Sequence, residues 1–164
     1  MIKRKRAESS IGVTRAELTA LVRRIAAELG AGARFELEVT TLTESPFGPY
    51  RHSEMHLRSK TTNACPVTIT LFEEGAADGS VTVSFGKSYD EFWGLPTQQT
   101  IASVSGLLRA IMEGNYREWV RSDRDEALGV VVDREGKILY EGRGGLNSEE
   151  LVDRGYTRIT FSPF

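Results

Sequence analysis

Both histidines of the chain lie in one short segment, His52-Ser53-Glu54-Met55-His56. Residues two apart on a β-strand project from the same face, with about 6–7 Å between successive Cα atoms. An extended conformation would therefore place His52, Glu54 and His56 side by side. Two imidazoles and a carboxylate are suitable ligands for Zn²⁺ or another divalent transition metal, provided that strand twist makes them converge. The segment thus indicates a metal-binding protein or a metal-dependent enzyme.

The same segment has a plainer interpretation as an ordinary strand with one wet face. Met55 and Leu57 would pack inward, while the two histidines and the intervening glutamate face water. Arg51 and Arg58 stand beside them and would repel a cation. The spacing is not that of the helical zinc-protease motif, and a zinc deaminase needs a Pro-Cys-x-x-Cys motif that a chain with the single cysteine Cys65 lacks.

Residues 86–96 form a second candidate site, because they show no clear periodicity and are long for a connection in a compact domain. Three aromatic and two acidic side chains follow one another there: Tyr89, Asp90, Glu91, Phe92 and Trp93. Large aromatic side chains are typical interface anchors, since they bury much area at little cost in rotamer entropy. The segment is therefore predicted to be a partner-binding loop. In the alternative interpretation, Phe92 and Trp93 plug one end of the core and the acids face water.

No other motif supplies a complete set of reactive groups. Cys65 precedes Pro66 at the start of a predicted strand and is expected to be an inert thiol. No serine lies in a Gly-x-Ser-x-Gly elbow. The glycine-rich segment 141–146 lacks both the dinucleotide fingerprint and the Lys-Ser/Thr of a phosphate loop, so it is interpreted as a strand exit. These observations favour a non-catalytic protein.

Composition places the chain among soluble globular proteins. Its 164 residues, of which 40% are hydrophobic and 27% charged, suffice for one full core. A single cysteine excludes an internal disulfide and suits a reducing compartment, so a cytoplasmic location is expected. The longest apolar runs are far shorter than the ~20 residues of a membrane span. The basic residues 3–6 are followed by a polar stretch and do not begin a signal peptide.

Charge is distributed unevenly along the chain. Four of the 21 basic residues lie within residues 3–6, so the remainder carries 17 basic and 23 acidic side chains, a net charge of −6. An acidic body repels phosphate backbones, which argues against a nucleic-acid partner. Residues 1–10 are predicted to be a disordered, solvated basic tail, and residues 11–164 a single domain.

Periodicity predicts the elements of that domain. Thr14 and Glu17 form a capping box before an apolar stripe of helical period. A second helical stretch covers about residues 97–120, ended or kinked by Gly114-Asn115, and a short helix opens at a further capping box in residues 147–150. Segments with two-residue alternation mark strands. They comprise residues 34–42, 50–59, 67–71, 81–85, 127–132, 137–141 and 156–161.

The order of these elements predicts the fold class. Strands come in hairpin runs and are not separated one by one by helices, which favours an antiparallel arrangement over a doubly wound parallel sheet. The expected fold is α+β, with an antiparallel or mixed sheet of about six or seven strands and two main helices packed on one face.

Together these features predict a non-catalytic module that binds another protein. An acidic body with an aromatic and acidic segment suits a basic partner through charge complementarity. A bacterial immunity or antitoxin-like inhibitor of a basic enzyme is one concrete version. The alternative is the metal-binding protein or metal-dependent enzyme built on His52, Glu54 and His56. A homodimer that uses an exposed sheet edge is a further possibility.

Overall fold

The computed structural model describes residues 12–42, 51–73, 79–95, 97–142 and 147–164 of the chain. Within these ranges it contains three helices and nine strands, and the class is α+β as predicted. The helices are α1 (Arg15–Glu28), α2 (Thr97–Met112) and α3 (Ser148–Asp153). The strands are β1 (Phe35–Leu42), β2 (His52–Ser59), β3 (Val67–Phe72), β4 (Val81–Phe85), β5 (Ser88–Phe92), β6 (Tyr116–Arg121), β7 (Glu126–Val132), β8 (Ile138–Glu141) and β9 (Thr157–Thr160).

Helix α1 begins at the predicted capping box. The Thr14 hydroxyl accepts the Glu17 N–H at 3.2 Å, and the Glu17 carboxylate accepts the Thr14 N–H at 2.8 Å. Two of the N–H groups that a helix start leaves unbonded are thereby satisfied. The apolar stripe is buried as its period requires, and it consists of Leu18, Leu21, Val22, Ile25 and Ala26.

Strands β1 to β5 form an antiparallel sheet in which each strand pairs with the next along the chain. Alternation along the strands separates its two faces. On β2, Met55 and Leu57 are fully buried and belong to the same hydrophobic core as the apolar stripe of α1 and the buried face of α2. The intervening side chains, such as Glu54 and His56, therefore lie on the face that points away from this core.

Helix α2 ends at Met112, shortly before the Gly114-Asn115 pair that the sequence offered as its end or its kink, and the residues beyond that pair are not helical. Gly114 has a φ of +80°, and the Asn115 N–H bonds the Ala110 carbonyl at 2.9 Å, which closes the helix and turns the chain back. The following residues form β6, where alternation buries Tyr116 and Glu118. Within the described ranges, no helix is both long and apolar enough to cross a membrane.

Strands β6 to β9 form a second antiparallel sheet, in the order β8-β7-β6-β9. The prediction of one sheet with six or seven strands is therefore wrong. Helix α2 separates β5 from β6 along the chain, and the described strands show no ladder of hydrogen bonds joining the two hairpin runs. Strand β7, which contains the apolar run Val130–Val132, is internal to its sheet.

The two sheets share one core and touch through aromatic rings. Phe85, at the end of β4, makes edge-to-face contacts with Tyr116 of β6 and Tyr140 of β8, each with 5.0 Å between ring centroids. Next to these rings, β5 approaches β7 so closely that a Cβ atom built on Gly129 would lie 2.4 Å from the Ser88 Oγ. Glycine is required at this position because any side chain would collide with the opposite sheet.

Helix α3 lies before β9 in the chain, and the residues after β9 pack against the rest of the protein. The predicted capping box of Asn147 and Glu150 opens α3, and the Leu151 side chain is buried. Beyond β9, Ser162 forms a parallel bridge with Ala64, and the Phe164 N–H bonds the Met112 carbonyl at 2.9 Å. These contacts tie the last residues to the core.

A pair of glycine substitutions tests this packing. Replacing Gly129 with alanine should lower the free energy of unfolding by about 1–3 kcal/mol, since the new methyl group overpacks the contact with Ser88 and Tyr116. Replacing Gly106 with alanine inside α2, where a Cβ meets nothing within 4 Å, should raise it by up to about 1 kcal/mol. Urea denaturation followed by circular dichroism measures both. Equal effects of the two substitutions would contradict the described contact.

Candidate functional site

The predicted set of His52, Glu54 and His56 lies together on one face of β2. The Glu54 carboxylate is between the two rings, with Oε1 3.7 Å from the His52 Nε2 and Oε2 3.3 Å from the His56 Nε2. The other nitrogen of His56, Nδ1, is 3.1 Å from the Thr68 hydroxyl on the neighbouring strand. The sequence therefore placed these three side chains correctly relative to one another.

Their geometry is that of a polar cluster. Each carboxylate oxygen of Glu54 faces the Nε2 atom of a different imidazole. Among the described residues, no group of three or more His, Cys, Asp or Glu side chains could hold a metal ion. His52 is buried, with its ring centroid 5.9 Å from that of Phe72, which suits a packed strand residue.

The arginines beside this cluster are paired with carboxylates. The Arg58 guanidinium is 3.7 Å from the Glu38 carboxylate, and that of Arg51 is 3.2 Å from the carboxylate of Glu73. The expectation that these two charges repel a cation from the histidines is weakened, because each guanidinium lies near a carboxylate. Arg51 shares its partner Glu73 with Arg15, whose Nε is 3.9 Å from that carboxylate.

The predicted loop at residues 86–96 contains strand β5, so the expectation of a connection without regular structure is corrected. Phe85 and Ser88 are partners across a two-residue turn, and β5 pairs with β4 through Phe92. Gly86 has a φ of +55°, as the first central residue of a type II′ hairpin turn requires. The Gly-Lys pair at 86–87, between two alternating segments, was the sequence signal for this turn.

Alternation along β5 divides its aromatic side chains between the core and the surface. Phe92 is 9% exposed and packs into the core. Tyr89 is 59% exposed and Trp93, directly after the strand, is 72% exposed. The interpretation of these residues as a core plug therefore holds for Phe92 and fails for Trp93, which presents its indole to solvent.

The two acids of β5 differ in their surroundings. Glu91 is exposed, whereas Asp90 is half-buried on the side of its partner Val83. Burial raises the pKa of the Asp90 carboxyl, an effect that the Glu91 N–H opposes by donating to its Oδ1 at 2.9 Å. Among the residues that the structure describes, neither acid forms an ion pair. Strand β5 thus presents two uncompensated negative charges.

A buried polar group that the sequence did not reveal fixes the position of β5. The Glu118 side chain is 3% exposed, and its Oε1 accepts the Lys87 N–H at 2.6 Å and the Tyr116 hydroxyl at 2.7 Å. The same hydroxyl lies 3.2 Å from the Ser88 Oγ. The turn before β5 is therefore bonded directly to the second sheet, which local sequence patterns do not indicate.

A cleft of about 980 Å³ lies beside this turn, between β5 and the second sheet. Its wall includes Ser88 and Tyr89 from β5 and Asp125, Glu126 and Tyr156 from the second sheet. At its rim the Lys87 ammonium bonds the Asp125 carboxylate at 2.8 Å, and deeper in the wall the Tyr156 hydroxyl donates to Glu126 at 2.6 Å. The cleft is polar, and its wall carries more acid than base.

Cys65 is placed as an inert thiol would be. The residue is fully buried, and this burial raises the pKa of its thiol to about 12. A thiol that stays protonated at neutral pH is a poor nucleophile. Two further expectations, the basic tail at residues 1–10 and the centre of the glycine-rich segment at residues 143–146, lie outside the described residues.

The chain matches no protein-family model, no curated protein sequence and no solved structure. The site must therefore be interpreted from its own geometry.

Because the thiol of Cys65 and the hydroxyl of Tyr116 are buried, we expect the protein to lose stability in alkali. Burial raises the pKa of both groups, so the unfolded chain ionises first and binds fewer protons, above pH 9 at the thiol and above pH 10 at the tyrosine. The free energy of unfolding should then fall as pH rises from 9 towards 12, by up to about 1.4 kcal/mol per pH unit for each group. Urea titrations at pH 8, 9, 10 and 11 measure this slope.

The variant Cys65→Ala separates the thiol contribution from that of other groups. Its free energy of unfolding should fall less steeply above pH 9 than that of the wild type. Parallel profiles for the two proteins would show that the thiol is not held in its neutral form by the fold.

Proposed function

We propose that this chain is a non-catalytic protein-binding module that uses the surface of β5, defined here as Tyr89, Asp90, Glu91 and Trp93. The observation that carries the proposal is the exposure of two aromatic side chains in this segment, Trp93 at 72% and Tyr89 at 59%. Tryptophan and tyrosine are enriched among the residues that dominate binding energy at protein interfaces. The buried Phe92 anchors the strand beneath them and keeps these two rings at the surface.

The charges of the β5 surface indicate a basic partner. Asp90 and Glu91 lack ion-pair partners among the described residues, so a lysine or arginine from another protein would complement them. The chain without residues 3–6 has a net charge of −6, since 17 basic residues then face 23 acidic ones, and this field would accelerate encounter with a cationic protein. An immunity or antitoxin-like inhibitor of a basic enzyme fits this description.

Two other hypotheses have less support. In a homodimer formed by two copies of β5, the acids of both strands would face each other, and like charges opposed across a strand pair are destabilising. For a metal-dependent function, the described residues contain no group of three or more His, Cys, Asp or Glu side chains that could hold a metal ion.

The substitution Trp93→Ala should abolish or greatly weaken partner binding, since truncating a central aromatic anchor costs about 2–4 kcal/mol of binding free energy. The tagged wild type is used to capture a partner from cells of the source organism. The purified partner is then titrated against each variant by calorimetry. Trp93→Ala should weaken binding by at least about thirtyfold, and the double variant Asp90→Asn/Glu91→Gln should lower the salt dependence of the association rate.

The control variant is Val152→Ala on α3, because Val152 is a large apolar side chain with a comparable exposure of 60% on a different element. It should bind the partner as the wild type does. Unchanged affinity in Trp93→Ala would remove the β5 surface from consideration, and equal losses in both variants would point to a general effect of surface hydrophobicity.

A further inference from the structure

Strand β5 has a free backbone edge. It is the last strand of its sheet and, among the described strands, its only ladder partner is β4. In a hairpin with a two-residue turn, the flanking pair Phe85 and Ser88 exchanges hydrogen bonds, and every second pair after it does the same. The backbone groups of Tyr89 and Glu91 consequently point away from β4. The bond from the Glu91 N–H to the Asp90 side chain agrees with this orientation.

The Asp90 carboxylate sits at this free edge, on the inward side of the strand. It is opposite Val83, which is fully buried, and it turns toward the edge to accept the Glu91 N–H. An inward-pointing charge on an edge strand is a device that prevents unwanted strand pairing, because an arriving apolar strand would bury the charge without a partner. Asp90 therefore discriminates among the strands that could pair with β5.

The free edge of β5 leads into the cleft between the sheets. Ser88 and Tyr89 belong to the wall of that cleft, which also contains the carboxylates of Asp125 and Glu126. An extended segment that paired with this edge would therefore contact Asp90 and would also reach the acidic side chains of the cleft.

We propose that the partner adds an extended, basic segment to the free edge of β5 as a sixth strand, with a lysine or arginine side chain beside the Asp90 carboxylate. This inference rests on the protein-binding function proposed above and states its mode. Strand addition supplies backbone hydrogen bonds to the N–H and carbonyl of Tyr89 and to the carbonyl of Glu91, whose N–H stays bonded to Asp90, and the cation compensates the half-buried acid. Selectivity for a basic segment follows from charge. An apolar segment would leave the Asp90 carboxylate uncompensated, and an acidic segment would be repelled by it.

The opposite edge of the same sheet lacks these properties. On β1, the acids Glu36 and Glu38 are paired with Lys60 at 3.3 Å and Arg58 at 3.7 Å. Their charges are already balanced within the protein, so β1 provides an acidic edge strand that serves as an internal comparison.

Fluorescence anisotropy of labelled peptides tests the proposal on the full chain. The probe is a nine-residue peptide of alternating valine and lysine, and its comparisons replace lysine by glutamate or methylate alternate backbone amides. The lysine peptide should bind the wild type, whereas the glutamate and N-methylated peptides should not. Asp90→Asn, which keeps the shape and the bond to the Glu91 N–H, should weaken binding of the lysine peptide by about tenfold or more.

Glu38→Gln on β1 removes one acid from the other edge and should leave the affinity for the lysine peptide unchanged. Equal urea midpoints for Asp90→Asn and the wild type would show that the substitution does not unfold the protein. Binding of the N-methylated peptide with the same affinity would overturn strand addition, and equal affinities of Asp90→Asn and Glu38→Gln would overturn the role of Asp90. If the lysine peptide fails to bind while a captured partner still requires Trp93, this mode is wrong and the protein-binding function stands.

Discussion

The buried carboxylate of Glu118 is the constraint on which the described structure depends. Burying a charged group is costly unless hydrogen bonds replace the lost water, and Glu118 receives two at a single oxygen. One comes from its own sheet, from Tyr116, and the other from the backbone of Lys87 in the turn of the first sheet. A glycine must stand at position 86, because a Cβ there would lie 2.9 Å from the Glu118 carboxylate. The two sheets therefore meet at a fixed point.

This fixed point determines what β5 can present. The strand is held at its first residue by the bonded turn and at its last residue by Phe92 in the core. Between these anchors, the two-residue period directs Tyr89 and Glu91 outward and Asp90 inward. A rigid strand displays its side chains with less entropic loss on binding than a flexible loop would, which suits an interface. If this segment formed a loop, its side chains would have no fixed orientation and its backbone would offer no free edge.

The two candidate sites differ in how far their charges are compensated. In the histidine cluster, Glu54 faces two imidazoles, and the nearby arginines have acidic partners. Most of the charged groups in this cluster therefore have partners within the protein, while the Nδ1 of His52 is buried without a hydrogen-bond partner among the described residues. On β5, the exposed rings of Tyr89 and Trp93 have no ring partners, and the carboxylates of Asp90 and Glu91 have no ion-pair partners, among the described residues. Exposed rings and unpaired charges of this kind gain the most binding free energy from contact with a second molecule. This contrast explains why the β5 surface is better supported as a site than the histidine cluster, although the histidines were more prominent in the sequence.

The sequence alone determined the features that depend on neighbouring residues. The capping boxes of Thr14 and Asn147, the burial of Met55 and Leu57, and the shared face of His52, Glu54 and His56 follow from periods of 3.6 and 2 that any local segment expresses. Local signals existed for the turn before β5, at Gly86-Lys87, and for the end of α2, at Gly114-Asn115. Only the tertiary structure decided that the strands divide into two sheets and how β5 meets the second sheet. Those outcomes depend on contacts distant in sequence, such as Gly129 against Ser88 and Glu118 against Lys87, which cannot be inferred from a local pattern.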